Sequence, residues 1–365
     1  MKKINMKTKS IVKKTLLFSL LLMATLAMST PALADCPGSS TFFNSEIVTY
    51  FQLPDQPDSV TDSRCSYGIN SAGRRVCRIR LRGVIHYPNS DLLFPKYPAI
   101  LFNHGSEKTF ARDAIRMGCS TANYFVPKGY IVFMPFRRGH GDGNGPTTSS
   151  TGRHIEDTID NFNNPNVPPD PRDPPTQCPG SACYRVELLN LQTDEDVVDG
   201  FNYLKNRADV QGFPTNGQTE YAIAIGGSSY GGRVTVLANR YNLGHRAALV
   251  FSPGAQAWGS AADPSPIQVA LMDAARNAKT PAFYLQAKWD YDTRPTIDLA
   301  YAHAYGGSDP LHGNRFMASI FEYPNPCPNR TCTVEDYQSV HVGFTNDAER
   351  WGPAALDFLR RNNVK

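Results

Sequence analysis

Six short apolar runs punctuate the chain, each closed off by turn residues: Ala99 to Phe102, Tyr130 to Met134, Tyr221 to Ile225, Ala247 to Phe251, Ala282 to Gln286 and Ser319 to Tyr323. They are too short for helices and apolar on both alternating faces. They therefore read as strands buried on two sides, as in a parallel sheet covered by helices. The segments between them supply those helices. Glu187 to Arg207 sets Leu188, Leu189, Leu191, Val197, Val198, Phe201 and Leu204 close to helical spacing, with Asp194, Glu195 and Asp196 on the polar side. Gly232 to Tyr241, Pro266 to Ala278, Pro295 to Ala304 and Gly352 to Asn362 complete the set. Strands alternating with helices predict an α/β fold built on a doubly wound, mostly parallel sheet. Ahead of it, Ile47 to Pro88 reads as antiparallel strands, from the alternation in Val76 to Arg82 and the β-rich Gly83 to Tyr87.

Two stretches break this rhythm. The first, Met1 to Ala34, has the three parts of a secretory signal: a basic start with Lys2, Lys3, Lys7, Lys9, Lys13 and Lys14, an apolar run from Thr15 to Met28, and Ala32-Leu33-Ala34 as a cleavage site. The run falls short of the ~20 residues of a spanning helix, so the expectation is export without a membrane anchor, to the periplasm or the medium. Residues 35–365 then form the folded domain. Six of the 37 Lys and Arg lie in the signal, which leaves 31 against 33 acidic residues, a net of about −2 in place of +4. With no basic cluster left, no nucleic-acid partner is expected. The second stretch, Gly141 to Ser181, is dense in Gly, Pro, Asn, Asp and Thr and offers no apolar face. It reads as an irregular insertion, either a lid or binding loop or a plain surface excursion.

All eight cysteines follow the signal, and none has the paired spacing of a zinc site or a thioredoxin-like motif. An even count in an exported chain points to disulfides. Local spacing suggests Cys65 with Cys77 across an Asn70-Ser71-Ala72-Gly73 turn, Cys178 with Cys183, and Cys327 with Cys332; Cys36 and Cys119 remain as a fourth pair.

The chemistry centres on Gly226-Gly227-Ser228-Ser229-Tyr230-Gly231-Gly232, between an apolar strand and a helix. The register Gly227-x-Ser229-x-Gly231 fits a nucleophile elbow, a turn so sharp that its neighbouring side chains must be nearly absent. Ser228 lacks flanking glycines in that register. A serine hydroxyl needs an imidazole to take its proton and a carboxylate to orient the imidazole. After the strand ending near Gln286 stands Lys288-Trp289-Asp290-Tyr291-Asp292-Thr293-Arg294-Pro295. Asp290 is the acid chosen, with Asp292 the alternative; the one not used caps the following helix. His341, in Ser339 to Phe344 before the terminal helix, is the only histidine beyond the last strand, whereas His303 and His312 precede it. An oxyanion needs two backbone N–H groups. Tyr230 supplies one, and the loop Asn103-His104-Gly105-Ser106-Glu107 the other, through Ser106 or alternatively Glu107. His104 is read as structural, and Arg137-Arg138-Gly139-His140-Gly141 as a loop brace from which Arg138 reaches substrate or does not. Trp258 and Trp289 line an acyl pocket or simply fill the core. This chemistry calls for no cofactor and no metal.

Together NHGSE at Asn103 to Glu107, FRRGHG at Phe136 to Gly141, the helix with Asp194 and Asp196, GGSSYGG, KWDYDTRP and VHVGF followed by WGPAALDFL resemble the dienelactone hydrolase-like and prolyl-oligopeptidase-like branch of the α/β-hydrolases. The resemblance spans about Leu81 to Leu359 and implies an α/β-hydrolase fold with a Ser-His-Asp triad. Dienelactone hydrolases proper use a cysteine where this chain has Ser229. Prolyl peptidases of this type carry a propeller for which the residues before Leu81 are too few. Both departures point to a compact esterase acting on a small-molecule or polymeric ester. The other readings are a peptidase or amidase on the same triad and a silent binding protein on the same scaffold. Acyl group, alcohol and oligomeric state stay open.

Overall fold

The computed structural model describes residues 43–57, 59, 66–89, 96–105, 111–137, 181–215, 218–254, 258, 264–306 and 316–365. Residues 1–34, read from the sequence as a signal, and all but Ser181 of the insertion read over Gly141 to Ser181 lie outside the described residues. In chain order the strands are β1 (Phe43–Gln52), β2 (Gln56–Pro57), β3 (Ser66–Ile69), β4 (Arg75–Arg78), β5 (Arg80–Pro88), β6 (Ala99–Asn103), β7 (Ile131–Pro135), β8 (Gly212–Thr215), β9 (Gln218–Tyr221), β10 (Ile223–Ser228), β11 (Ala247–Phe251), β12 (Ala282–Ala287) and β13 (Phe316–Phe321). The helices are α1 (Ala111–Phe125), α2 (Ser181–Leu191), α3 (Val198–Lys205), α4 (Tyr230–Ala238), α5 (Pro266–Arg276), α6 (Arg294–Gly306), α7 (Val334–Asn346) and α8 (Ala348–Arg361).

Eight strands form one sheet in the order β1-β5-β7-β6-β10-β11-β12-β13. Only β5 runs against the rest, pairing antiparallel with β1 and β7. Pairings from β7 through β6, β10, β11 and β12 to β13 are parallel. Counted along the chain, the order is first, second, fourth, third, then fifth to eighth, with the second reversed. That is the α/β-hydrolase fold. The chain turns leftward from β6 to β7 and then crosses to β10, so the order reverses between β6 and β10; ligands in such sheets bind beyond the strand ends at this point.

The apolar runs are strands because the sheet is covered on both faces. Every residue of β6, β7, β10, β11 and β12 is buried. One core layer joins Leu101, Phe133, Ile225 and Val250 to Leu189, Phe201, Val234, Leu271 and Leu299. The opposite layer joins Phe102, Val132, Leu249 and Leu285 to Phe125, Phe344, Trp351 and Leu359. Trp351 is wholly buried, stands edge-on to Phe251 at 4.6 Å and donates its indole N–H to Phe344 O. Among the described residues no helix is long and apolar enough to cross a membrane.

Boundaries differ from the sequence reading where local bonds intervene. The strand expected over Tyr221 to Ile225 runs from Ile223 to Ser228, carrying the glycines of the elbow into the sheet. The helix expected over Glu187 to Arg207 holds a π-helical stretch, Gln192–Val197, in which Thr193 Oγ1 takes the Leu189 carbonyl at 2.6 Å and competes with the backbone ladder. The terminal helix begins at Ala348 rather than Gly352. In the N-terminal hairpin, Asn70 Oδ1 accepts the N–H groups of Ala72 and Arg74, and Cys77 stands opposite Tyr67 rather than Cys65.

Two wholly buried histidines tie stability to pH. Burial pushes the His86 imidazole down to about 4 and that of His245 to about 3. Both stay neutral in the fold while the unfolded chain takes up protons below pH ~6.5, so stability is lost as the pH falls through that value. Each contributes a loss of about 2 kcal/mol between pH 7 and pH 5. Urea denaturation at the two pH values should show this drop, and His245→Gln should shrink it by about one histidine's share. An unchanged drop in that variant contradicts the assignment.

Candidate active site

The site is built where β10 stops and α4 starts. Ser229 sits between them at φ 55°, ψ −116°. That left-handed backbone is unusual for a side-chain-bearing residue, and it lifts the serine out of the strand direction to the mouth of the sheet. Ser229 N–H donates to Phe251 O at 2.9 Å, which fixes the turn to β11. The flanking glycines are required by space. A Cβ on Gly231 would meet the carbonyl oxygens of Asn103 and His104, and one on Gly227 would meet Gly231 O and Thr235 Oγ1. The start of α4 is thereby pressed against the loop after β6.

Buried polar groups hold that junction. Asn103 Nδ2 donates to Gly226 O and Thr235 Oγ1, each at 3.2 Å, while Thr235 Oγ1 donates to Gly231 O at 2.8 Å. The wholly buried Arg137 donates to His104 O at 2.7 Å and to Gly105 O at 3.3 Å, with its guanidinium 5.2 Å from the centre of the Tyr230 ring. Arg137 is thus the loop brace, and His104 is buried against Gly105 O, a structural position. Tyr230 is the first residue of α4, so its N–H is one of the helix-start donors with no partner inside the helix. Ser106, Glu107, Arg138 and His140 lie outside the described residues.

Beyond β12 the chain turns through Asp290 N–H to Ala287 O and buries the Asp290 side chain completely. His341 Nδ1 lies 2.9 Å from both carboxylate oxygens. Tyr291 N–H donates to Oδ1 at 2.7 Å, and Ser252 Oγ donates to Oδ2 at 2.6 Å. Asp292 points elsewhere. It is bound by the Arg294 side chain and by Arg294 N–H, and this pairing holds its carboxyl below the ordinary value. It lies two residues ahead of α6 and accepts the N–H of that helix's first residue, Arg294. Gln286 steadies the same loop, donating to Asp292 O and accepting from Thr296 Oγ1.

His341 lies inside a helix rather than in a segment ahead of one. Its helix, α7, starts with a capping box in which Thr333 and Asp336 satisfy each other's backbone N–H. Arg330 clamps Asp336 with both terminal nitrogens, and the Cys327–Cys332 disulfide closes the loop just before it. Cys77 and Cys119 are also disulfide-bonded; Cys36, Cys65 and Cys178 and the side chain of Cys183 lie outside the described residues. Tyr291 stands edge-on to the His341 ring at 5.7 Å. The structure joins acid to imidazole directly. Ser229 reaches them through the backbone: it is tied to Phe251, the next residue is Ser252, and Ser252 holds Asp290. Among the described residues Ser229 Oγ and His341 share no hydrogen bond.

The other sequence candidates are dispersed. Ser228 is buried at the end of β10, and His303 is buried on α6 against the Tyr284 hydroxyl. Trp258 donates to Asp298 Oδ2 and packs beside α6, whereas Trp289 packs against the opposite core layer. His312 lies outside the described residues. Sequence reasoning gave no part to Ser252 or Gln286, polar residues at strand ends whose only signal is that position, and named Asn103 only as the start of the oxyanion loop. Among the described residues no group of side chains is arranged to hold a metal ion.

No protein-family model matches the chain, and no curated protein sequence does. Solved structures are similar in shape. The acylaminoacyl peptidase of Pyrococcus horikoshii aligns at 15% identity and a TM-score of 0.47 over 89% of this chain and 42% of that one. Est1E from Butyrivibrio proteoclasticus, solved with ferulic acid bound, aligns at 13% identity and a TM-score of 0.46 over 82% of this chain and 100% of its own. Porphyromonas gingivalis dipeptidyl peptidase 4 aligns at 14% identity and a TM-score of 0.43, over 81% and 36% respectively. The chain thus spans under half of either peptidase.

The elbow's tight contacts predict a large difference between two glycines. Gly231→Ala should cost about 3 kcal/mol or more, since backbone and not a flexible side chain fills the space. Gly244→Ala, at φ 93° with open space around it, should cost only about 1 kcal/mol. Equal losses in denaturant titrations contradict the close-approach account.

Proposed function

We propose that the protein is an exported serine hydrolase that cleaves carboxylic esters through an acyl-serine intermediate. The observation that carries the reading is the buried Asp290 carboxylate 2.9 Å from His341 Nδ1, in a sheet whose switch point carries a strained Ser229 at the end of β10. In this reading Ser229 Oγ attacks the acyl carbon and passes its proton to His341 Nε2. Asp290 holds the imidazole in the tautomer that exposes Nε2 and balances its charge once protonated. The N–H groups of Tyr230 and Ser106 receive the oxyanion, with the positive end of α4 adding to the first. The alcohol leaves with the proton from His341. Water, activated by the same imidazole, then attacks the acyl-serine, frees the acid and restores the hydroxyl. The Cys327–Cys332 disulfide supports export to an oxidising compartment.

Two variants separate the carboxylates. Asp290→Asn should lower kcat on the order of 10²–10⁴-fold by favouring the wrong imidazole tautomer. Asp292→Asn, which loses a largely exposed ion pair with Arg294 and keeps an oxygen for the Arg294 N–H, should stay within about threefold. p-Nitrophenyl esters from acetyl to long acyl, assayed beside aminoacyl amides with Ser229→Ala as control, decide the reaction. Ester turnover abolished in Ser229→Ala is expected. Amide turnover exceeding ester turnover replaces the esterase by an amidase, and full activity in Ser229→Ala removes the nucleophile.

A further inference from the structure

Among the described residues three non-glycine positions have positive φ: Ser229 at 55°, Ser252 at 46° and Asn363 at 59°. Asn363 lies past the end of the last helix, where asparagine adopts this conformation readily. The other two are serines at the carboxyl ends of adjacent parallel strands. Ser228 pairs in register with Phe251, which puts Ser229 level with Ser252. The proposed reaction uses one of these strained serines and gives the other no part. Strain of this kind persists where the surrounding structure over-determines it, and it clusters at functional sites.

Ser252 is 1% exposed, so its hydroxyl does not contact a substrate. Its backbone is held by Ser252 N–H to Leu285 O at 2.9 Å, and the following residue, Pro253, accepts Arg233 Nε at 3.0 Å. The left-handed turn swings its Oγ away from the sheet and onto Asp290 Oδ2 at 2.6 Å. The Tyr291 N–H takes Oδ1 from the other side at 2.7 Å. Two donors on two oxygens fix the rotation of a carboxylate and favour its ionised form. The backbone donor belongs to Asp290's own turn, whereas the Ser252 hydroxyl comes from the neighbouring strand.

We propose that Ser252 is a positioning residue that fixes the Asp290 carboxylate against His341 and sets how strongly that carboxylate draws the imidazole proton. The proposal rests on the reading of Asp290 and His341 as acid and base. Among the described residues His341 is the one ionisable side chain bonded to Asp290; Tyr291 stands edge-on to the His341 ring, and Tyr337 lies 6.1 Å beyond Tyr291. Arg294 is engaged with Asp292. Without the Ser252 hydroxyl the Oδ2 charge is no longer shared with a second donor and bears more fully on the imidazole.

The test uses Ser252→Ala and Ser252→Gly. Both lose the hydroxyl, but glycine accepts the backbone angle that alanine resists. The expected result is the same roughly 10- to 100-fold fall in kcat/KM for both, with KM unchanged and the acidic limb of the pH profile moved upward by about half a unit or more. NMR titration of the His341 ring, assigned with His341→Gln, should show that same upward shift. Activity restored in Ser252→Gly, or loss that tracks melting temperature with an unmoved pH profile, overturns the proposal and leaves Ser252 a folding residue. If the wild type hydrolyses no ester or amide, the reading of the reaction fails on its own. The His341 titration then still decides whether Ser252 governs the pair.

Discussion

Everything at the mouth of this sheet depends on how closely α4 approaches the loop after β6. Gly231 lies against the carbonyl oxygens of Asn103 and His104 with no space for a side chain between them. That contact forces the sharp turn at Ser229, sets the first amide of α4 beside the neighbouring loop, and brings the two halves of a doubly wound sheet together at its switch point. The fold then supplies adhesion on both faces: buried β6 and β10 pair in register, and Asn103, Thr235 and Arg137 satisfy the carbonyls that the close approach would otherwise leave bare. Burying such groups unpaired costs on the order of 1–3 kcal/mol each, so the junction is as much a hydrogen-bonding solution as a packing one.

The carboxylate side of the site follows a second rule. Asp290 and Asp292 differ by two positions, yet one is sealed into the interior with three donors and the other is paired with an arginine near the surface. The separation comes from the turn after β12. It points residue 290 toward α7 and residue 292 toward the start of α6. His341 arrives because α7 is anchored at its first turn by a capping box, an arginine clamp and a disulfide.

Much of this was legible in the sequence because it is written in periodicity and in glycine. Runs apolar on both faces foretold strands covered on both sides, and they are. GGSSYGG between a strand and a helix marked the elbow, since glycine spacing records a steric demand. Of the two aspartates of KWDYDTRP, Asp290 is the one the sequence favours, with Asp292 left as the alternative, because a two-residue offset in a turn changes direction without changing composition. The helix carrying His341 was read as the segment ahead of a helix; its start signal, Thr333 to Asp336, has aspartate where the familiar capping box has glutamate. Ser252 was invisible for a plainer reason: its role lies in a backbone angle and a contact 38 residues away in sequence.

The proposed reaction turns on a single activated hydroxyl, that of Ser229. The most direct measurement is covalent labelling of the folded protein with a fluorophosphonate probe, followed by peptide mapping. One adduct is expected, on Ser229, absent in Ser229→Ala and slowed in His341→Gln. No adduct on the folded protein, or an adduct carried by Ser228 or another serine, contradicts it.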